Sequence, residues 1–309
     1  MHNKIAVIGE SMIEIKPGNE NRGRTFGAAV GYGGDTLNCS VYMSRLGTQV
    51  DYVTALGDDP LSDWLLEQWR EEGIGCELVH REPGAVPGLY LIETDDTGER
   101  SFFYWRAQSP AREVFDVQER RDALFAKLRE YPFVYLSGIT LAIYSVDVRK
   151  RLFDFLADYR TAGGRVVFDN NYRPKQWPDV ATAQAAYESI YRCCDIALPT
   201  FDDEQDLFGD ESPADALARM QNYGVKEIAL KLGPGGCLIA NDVAQEQITG
   251  NAIDNVVDTT AAGDSFNAGY MAARLAGTGT HGAARQGNRL AGTVIQHPGA
   301  IIPRQAMPG

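Results

Sequence analysis

One segment, residues 258–270, combines small residues and carboxylates in an order that suits phosphate chemistry. It reads Asp-Thr-Thr-Ala-Ala-Gly-Asp-Ser-Phe-Asn-Ala-Gly-Tyr, which predicts a loop that leads into a helix. The first N–H groups of such a helix lie at the positive end of its dipole and form an anion site. The candidate donors are those of Ala261, Ala262 and Gly263. Asp264, in the first turn, could cap the helix or take the proton of a hydroxyl that attacks a phosphate.

Two glycine-rich turns elsewhere have the character of ligand sites. Gly33 and Gly34 precede a predicted helix, and backbone without a Cβ atom lets a sugar approach closely. Asn38, in that helix, offers both a donor and an acceptor. The second turn follows Lys231 and reads Leu-Gly-Pro-Gly-Gly-Cys, and its N–H groups could bind phosphate or ribose. Taken alone, the glycine pair is more typical of a plain turn.

The elements that would position these residues alternate along the chain. Apolar runs predict strands at residues 4–9, 51–56, 133–137, 165–169, 196–199 and 227–232. Between them, helices are predicted at residues 36–46, 61–72, 146–162 and 214–223. This order indicates an α/β fold with a mostly parallel sheet flanked by helices. Ligands of such a sheet bind at the carboxyl ends of its strands.

Residues 11–33 and 87–109 interrupt the alternation and predict a small antiparallel β-sheet, called the lid below. Residues 1–10, 34–86 and 110–309 would then form the main α/β domain. In the second stretch, Asp95-Asp96-Thr97-Gly98 is typical of a hairpin turn, which would pair Asp95 with Glu99 and Tyr90 with Tyr104.

The two faces of this hairpin differ in character. Residues two apart on a strand share a face, so Tyr90, Tyr104 and Arg106 would line a ligand site. The other face is apolar and would pack on a second copy of the chain, in a homodimer or higher oligomer; it carries Leu89, Leu91, Phe103 and Trp105. An ordinary hairpin packed on the core is the alternative.

Composition limits the classes of function. The chain has 309 residues, enough for one large α/β domain with a smaller appendage. It has 29 Lys and Arg against 42 Asp and Glu, a net charge of −13, which argues against nucleic acid or an anionic membrane as partner. The apolar stretch near the amino terminus is too short for a signal peptide, and it predicts a strand instead. Five cysteines without C-x-x-C spacing and four histidines favour reduced thiols in a cytoplasmic protein over a zinc site.

The segment 258–270 resembles the carboxyl-terminal signature of the ribokinase-like (PfkB-type) carbohydrate kinases, whose pattern is close to D-T-x-G-A-G-D. Ala261 stands where the family usually has glycine, and because alanine disfavours positive φ, a slight shift of the loop is expected. The other family signature resembles residues 33–38, Gly-Gly-Asp-Thr-Leu-Asn. The resemblance covers the whole chain and implies a ribokinase-like fold, ATP as phosphoryl donor and Asp264 as base.

The resemblance also implies where the nucleotide and metal bind. The turn beside the nucleotide would contribute Lys231, Gly233, Gly235 and Gly236. Asn288 would lie near adenine, with a solvated helix residue as the alternative. Relatives carry N-x-x-E for Mg²⁺. Here Phe201 takes the Asn position, and Glu204 is retained and expected to hold Mg²⁺ through water, with Asp203 as a substitute. A monovalent cation is possible as an additional cofactor.

Two arginines determine the expected substrate class, because a guanidinium binds a carboxylate at two points. Arg106 belongs to the lid, and Arg173 with Asn171 follows the strand 165–169, within reach of substrate or nucleotide phosphate. Surface ion pairs are the alternative. Tyr104-Trp105-Arg106 and Gly9-Glu10 are similar to family members that phosphorylate the 6-hydroxyl of 2-keto-3-deoxygluconate, giving 2-keto-3-deoxy-6-phosphogluconate. A kinase of a neutral sugar such as fructose or ribose, and a non-catalytic sugar-binding regulatory protein, remain the alternatives.

Overall fold

A central strand shows how this sequence builds its core. The computed structural model describes residues 3–18, 24, 27–94, 100–250 and 252–308. In the first strand, Ile5 and Val7 pack into one apolar cluster, and Ala6 and Ile8 pack into another on the opposite face. A strand buried on both faces must lie inside a sheet that is covered by helices on both sides.

Within the described residues, the strands are β1 (Lys4–Ile8), β2 (Met12–Pro17), β3 (Ala28–Gly33), β4 (Gln49–Gly57), β5 (Val79–Glu82), β6 (Leu89–Thr94), β7 (Arg100–Trp105), β8 (Phe133–Ser137), β9 (Arg165–Asp169), β10 (Ile196–Ala197), β11 (Glu227–Lys231), β12 (Cys237–Asn241) and β13 (Gln245–Ile248). The α-helices of the same residues are α1 (Asp35–Arg45), α2 (Pro60–Glu71), α3 (Gln118–Leu128), α4 (Gly138–Ile143), α5 (Val146–Thr161), α6 (Val180–Cys193), α7 (Phe201–Phe208), α8 (Pro213–Asn222), α9 (Ala262–Leu275) and α10 (Thr280–Val294).

The large sheet is mostly parallel. In the described part of the chain it has nine strands, in the order β13-β12-β11-β10-β9-β8-β1-β4-β5. Neighbours from β11 to β5 pair in parallel, whereas β12 and β13 add an antiparallel edge. Helices α1, α2, α9 and α10 cover one face, and α3 to α8 cover the other. The predicted α/β fold is confirmed.

The lid is a separate four-stranded sheet in the order β3-β2-β6-β7. It consists of two antiparallel hairpins, β2 with β3 and β6 with β7, joined by a parallel pairing of β2 with β6. Tyr90 lies opposite Tyr104, as the hairpin sequence predicts. The predicted turn at residues 95–98 and the pair of Asp95 with Glu99 lie outside the described residues.

Most predicted elements have nearly the predicted bounds. The strands predicted at residues 133–137 and 165–169 are β8 and β9 without change. The strand predicted at residues 196–199 is shorter, because β10 ends at Ala197 before the chain turns into α7. No helix in the described ranges has both the length and the apolar character needed to cross a membrane.

Candidate active site

The carboxyl ends of neighbouring parallel strands carry the polar side chains of the candidate site. In the order of the sheet they are Lys231 at the end of β11, Asp203 after β10, Asp169 at the end of β9, Ser137 at the end of β8 and Glu10 after β1. The first turns of α1 and α9 add Asp35 and Asp264. Segments from the whole length of the chain therefore meet at the edge where sheets of this kind bind ligands.

Asp264 is oriented by the other signature segment. Its Oδ2 atom accepts a hydrogen bond from Nδ2 of Asn38 at 2.9 Å. Burial, together with the nearby charges of Asp35 and Asp169, raises the pKa of Asp264 to about 8, against the lowering effects of Asn38 and Lys231. The sugar contact predicted for Asn38 stays a prediction: one N–H of its Nδ2 group is bonded to Asp264, and its buried Oδ1 atom has no partner among the described residues.

The turn before Asp264 keeps the shape that glycine would allow. Ala261 has a φ of 60°, in the left-handed region, so the predicted shift of the loop is replaced by local backbone strain. The N–H group of Ala262 donates to the carbonyl of Thr259 at 3.1 Å. Within the described residues no acceptor takes the N–H of Ala261 or Gly263. The predicted anion hole thus has two unoccupied donors among its three residues.

Lys231 brings a positive charge next to this turn. Its Nζ atom donates to Oδ1 of Asp169 and to Oδ1 of Asn267, each at 3.0 Å, and the side chain is 8% exposed. A Cβ atom added to Gly263 would lie 3.6 Å from the same Nζ. The ammonium group is therefore held beside the first turn of α9 and the carboxylate of Asp264.

A cavity of about 150 Å³ lies between the lid and the ends of the strands. The predicted lid residues Tyr90, Tyr104 and Arg106 all line it, together with Arg173 and Asp35. The ring centroids of the two tyrosines are 5.9 Å apart, and Phe102 lies 6.3 Å from each. The predicted ligand-facing side of the hairpin is thus an aromatic wall with guanidinium groups beside it.

Two of these side chains already have anionic partners. The hydroxyl of Tyr90 donates to Oε2 of Glu14 at 2.6 Å, so its ring and not its hydroxyl faces the cavity. Arg106 donates through its terminal NH2 to Glu10. Tyr104 is half exposed.

The predicted glycine pair is needed for close packing. A Cβ atom on Gly33 would lie 2.5 Å from the hydroxyl of Tyr90. Gly34 has a φ of 146°, and a Cβ atom there would lie 2.3 Å from the carbonyl oxygen of Glu10. These glycines therefore let the start of α1 approach the cavity. A glycine pair that only formed a turn would not need this close packing.

The predicted nucleotide turn lies on the opposite side of Lys231 from the lid. Gly233 and Gly236 have positive φ, and a Cβ atom on Gly236 would lie 2.2 Å from the carbonyl of Ile248. Asn288, in α10, donates to that same carbonyl at 2.9 Å. Gly235, Gly236 and Asn288 therefore gather around the end of β13, as the prediction of a shared nucleotide site requires.

The segment after β9 connects the two sides of the site. Asn171 has a φ of 28°, and its Nδ2 atom donates to Oδ2 of Asp35 at 2.9 Å. Its predicted contact with the nucleotide stays a prediction, and in the structure its side chain is bonded to a residue that lines the cavity. Arg173 is half exposed, lines the cavity and makes a long contact of 3.4 Å with Asp203.

Glu204, the residue predicted to hold Mg²⁺ through water, lies in the interior. Glu204 is fully buried and accepts hydrogen bonds from Asn170 at 2.8 Å and from the hydroxyl of Tyr191, and it forms an ion pair with Arg219 at 2.6 Å. Both of its oxygens are therefore committed to the interior. Asp203, one residue earlier on α7, lies on a different face and near Asp169.

The carboxylate of Asp203 has longer and fewer contacts than that of Glu204: it accepts from the N–H of Tyr172 at 3.2 Å and from Arg173 at 3.4 Å. Burial raises its pKa to about 6, Arg173 and Lys231 lower it, and Asp169 raises it. In the described part of the chain no three His, Cys, Asp or Glu side chains form a metal-binding cluster. A magnesium ion here would therefore take most of its ligands from phosphate and water.

Sequence reasoning missed several residues of the site. Glu10 was noted only as part of a resemblance, and Asp35 and Asp169 were not assigned roles. The available signal was their position, because each follows a strand end or begins a helix at the predicted ligand edge. Their partners lie far away in the chain, so no local pattern pointed to them.

Comparisons with known proteins agree with this geometry. A family model described as pfkB family carbohydrate kinase matches residues 2–307. The chain is 44% identical to 2-dehydro-3-deoxygluconokinase of Escherichia coli K12 over 317 residues, covering all of both proteins.

Two solved structures share the fold. One is a putative ribokinase II from E. coli in complex with ATP and Mg²⁺, with a TM-score of 0.83, 20% identity and coverage of 96% of this chain and 94% of that one. The other is 2-dehydro-3-deoxygluconokinase from Thermotoga maritima, with a TM-score of 0.81, 21% identity and coverage of 97% and 95%. With a family model that spans almost every residue, the chain belongs to the pfkB family of carbohydrate kinases, phosphotransferases that act on a sugar hydroxyl.

Proposed function

We propose that this protein transfers the γ-phosphoryl group of ATP to the 6-hydroxyl of 2-keto-3-deoxygluconate (2-dehydro-3-deoxygluconate), which yields 2-keto-3-deoxy-6-phosphogluconate. The observation that carries the proposal is the cavity in which Arg106 and Arg173 face the aromatic wall of the lid. Its lining includes Asp35, whose charge raises the pKa of Asp264. The name of the E. coli relative, 44% identical along its whole length, supports the same substrate.

Asp264 acts as the general base in this proposal. It takes the proton of the 6-hydroxyl as that oxygen attacks the γ-phosphorus, and Asn38 fixes the carboxylate through Oδ2 so that Oδ1 faces the substrate. The raised pKa suits this task, because a base with a pKa near the working pH is strong enough to accept the proton and is still partly ionised.

The transferring phosphoryl group lies against the turn before α9. The N–H groups of Ala261 and Gly263 donate to its oxygens, and Ala262 contributes through the helix dipole because its own N–H is bonded to Thr259. Lys231 adds a positive charge beside the same oxygens. Gly233, Gly235, Gly236 and Asn288 bind the rest of the nucleotide, and Arg173 reaches a nucleotide phosphate or the substrate.

Two carboxylates at the strand ends are the proposed partners of magnesium. Asp203 and Asp169 lie near each other at the ends of β10 and β9, and carboxylate oxygens with water are ligands that Mg²⁺ prefers. When bound with ATP, the ion neutralises phosphate charge. Asp203 takes the role predicted for Glu204, whose oxygens are occupied, and it would act through water.

The substrate is held by the lid and by the start of α1. Tyr90 and Tyr104 form the wall, Arg106 binds the carboxylate of the sugar acid, and Gly33 and Gly34 let the sugar approach the backbone. Asn171 holds Asp35 toward the same cavity. Closure of the lid, residues 11–33 and 87–109, over the main domain excludes water, so that ATP is not hydrolysed.

The outer face of the lid supports a proposal about assembly. Val30, Phe103 and Trp105 are 52%, 47% and 59% exposed, which is a large apolar area for a surface that faces only water. We propose that this face packs on a second copy to form a homodimer or a higher homo-oligomer.

The proposal also includes a cytoplasmic location, which agrees with five free cysteines.

The test is a screen of phosphate acceptors with ATP and Mg²⁺, measured by ADP release. The proposal predicts turnover with 2-keto-3-deoxygluconate and much lower kcat/KM with fructose and ribose. Preference for a neutral sugar would favour the first alternative. Binding of sugars without ADP release from any of them would favour a non-catalytic regulatory protein.

A further inference from the structure

The buried ion pair between Glu10 and Arg106 is not explained by catalysis or by nucleotide binding. Glu10 lies in the connection between β1 and the lid strand β2, and its side chain is 1% exposed. Arg106 lies directly after β7, on the other side of the lid, and its side chain is 12% exposed. Both residues line the substrate cavity.

The packing around this pair is tight. A Cβ atom on Gly88 would lie 3.0 Å from Oε1 of Glu10 and 3.1 Å from Cβ of Arg106, so the backbone directly before β6 closes over the pair. Gly34 covers the backbone of Glu10 from the side of α1. The glycines therefore leave room for the two charged groups and for little else.

The pair is only partly satisfied. Glu10 uses one oxygen, and its Oε1 atom is buried without a hydrogen-bond partner in the structure. Arg106 uses its NH2 group, and its Nε atom is likewise buried without a partner. An arginine has five N–H donors, so a guanidinium held at NH2 keeps donors for a second acceptor. Incomplete pairing of a buried charge is unfavourable and is typical of a site that awaits a ligand.

Arg106 needs a resident anion to stay in this position. A guanidinium buried against aromatic rings without a counter-ion would swing out to water, because an uncompensated buried charge is strongly destabilising. The other arginine of the cavity, Arg173, is half exposed; it donates to the carbonyl of Tyr172 at 2.6 Å, and its ion pair with Asp203 is long, at 3.4 Å. Glu10 is therefore the group that keeps a positive charge inside the cavity before the substrate arrives.

We infer that Glu10 is a positioning residue for substrate recognition, which holds Arg106 in the orientation that receives the carboxylate of the sugar acid. The inference rests on the proposed function. It predicts that Glu10 acts on substrate affinity through Arg106 and has no effect without it. A carboxylate that merely competed with the substrate for the guanidinium would have the opposite effect on KM.

The test is a double-mutant cycle of Glu10→Ala and Arg106→Ala, with KM for the sugar acid, KM for ATP and kcat measured for each protein. Glu10→Ala should raise KM for the sugar acid by ~10- to 100-fold, as expected for loss of one partner of a buried charge pair. KM for ATP should not change. In the Arg106→Ala background the same change should raise KM less than twofold, because interacting residues are not additive.

Glu10→Gln is a milder substitution that can replace Glu10→Ala in the double-mutant cycle. It keeps the side-chain volume and an acceptor oxygen but removes the charge. It should raise KM by a smaller factor than Glu10→Ala. Glu227→Gln is the matched control, since Glu227 forms a comparable ion pair with Arg274 at 2.7 Å at the amino end of β11, away from the cavity. This control should leave KM for the sugar acid unchanged.

The outcomes distinguish failure of the positioning role of Glu10 from failure of the proposed function. A rise in KM that is the same with and without Arg106 would overturn the positioning role, and so would a fall in KM for Glu10→Gln. If Arg106→Ala leaves KM for the sugar acid unchanged, the assignment of the carboxylate in the proposed function fails. If Glu10→Ala does not fold, the cycle with Glu10→Gln decides by the same criteria.

Discussion

Nδ2 of Asn38 donates a hydrogen bond of 2.9 Å to Oδ2 of Asp264, across 226 positions of the sequence. This bond joins the first turns of α1 and α9, which carry the sugar-side and phosphate-side signatures. The orientation of the proposed base is therefore set by the helix that follows the glycine pair Gly33 and Gly34. In the proposed mechanism, placement of the substrate and removal of its proton therefore depend on the same contact.

Replacement of Asp264 by Asn should abolish most turnover and leave binding intact. The amide keeps the size of the side chain but cannot accept the proton, so kcat should fall by ~10²- to 10⁴-fold. Dissociation constants for ATP and the sugar acid, measured by calorimetry, should stay within a few-fold of the wild type. A variant with normal turnover would show that another group is the base.

The pH dependence should report the ionisation of Asp264. Because the base must be ionised and burial raises its pKa to about 8, kcat/KM should rise with pH and level off above that value. Lys231→Met removes a charge that lowers this pKa, so the rise should move to higher pH. Asp35→Asn removes a charge that raises it, so the rise should move to lower pH. Identical profiles for all three proteins would contradict the assignment.

Arg106→Ala should affect a sugar acid much more than a neutral sugar. Loss of a two-point contact with a carboxylate should raise KM for 2-keto-3-deoxygluconate by ~100-fold. Arg106→Lys should recover only part of this loss, since an ammonium group does not present two parallel donors. The measurement is kcat/KM for the acid and for fructose with each variant. Equal losses for both sugars would mean that the carboxylate is bound elsewhere.

Ala261→Gly should preserve the phosphate site and relieve strain. Ala261 has a φ of 60°, and the left-handed region costs a residue with a Cβ atom ~1–2 kcal/mol. The greater entropy of glycine in the unfolded chain offsets part of this gain, by ~0.5–1 kcal/mol. We expect an unchanged kcat and an equal or slightly higher Tm. Ala261→Val, with a β-branched side chain, should lower both. A stable and active Val variant would show that the backbone at residue 261 is not strained.

Local patterns in the sequence predicted the elements well and the contacts between them poorly. The buried strands β8 and β9 were predicted with their observed bounds, because short apolar runs between polar segments are typical of such strands. The pairing of Tyr90 with Tyr104 followed from the hairpin turn and the twofold alternation of strands.

The contacts that determine the chemistry are between distant segments. The bonds of Asn38 to Asp264 and of Lys231 to Asp169 depend on the order of the strands, which the sequence does not display. The environments of Asp203 and Glu204 also depend on contacts that a local pattern does not display. The side chains of adjacent helix residues point about 100° apart. Of two neighbouring residues, one can therefore face the site while the other is buried in the interior.

A crystal structure with a non-hydrolysable ATP analogue and 2-keto-3-deoxygluconate tests the central claim most directly. The account predicts the terminal phosphate against the N–H groups of Ala261 and Gly263, with the 6-hydroxyl within ~3 Å of Asp264. It also predicts the sugar carboxylate on Arg106. A terminal phosphate far from this turn, or a 6-hydroxyl out of reach of Asp264, would contradict the account.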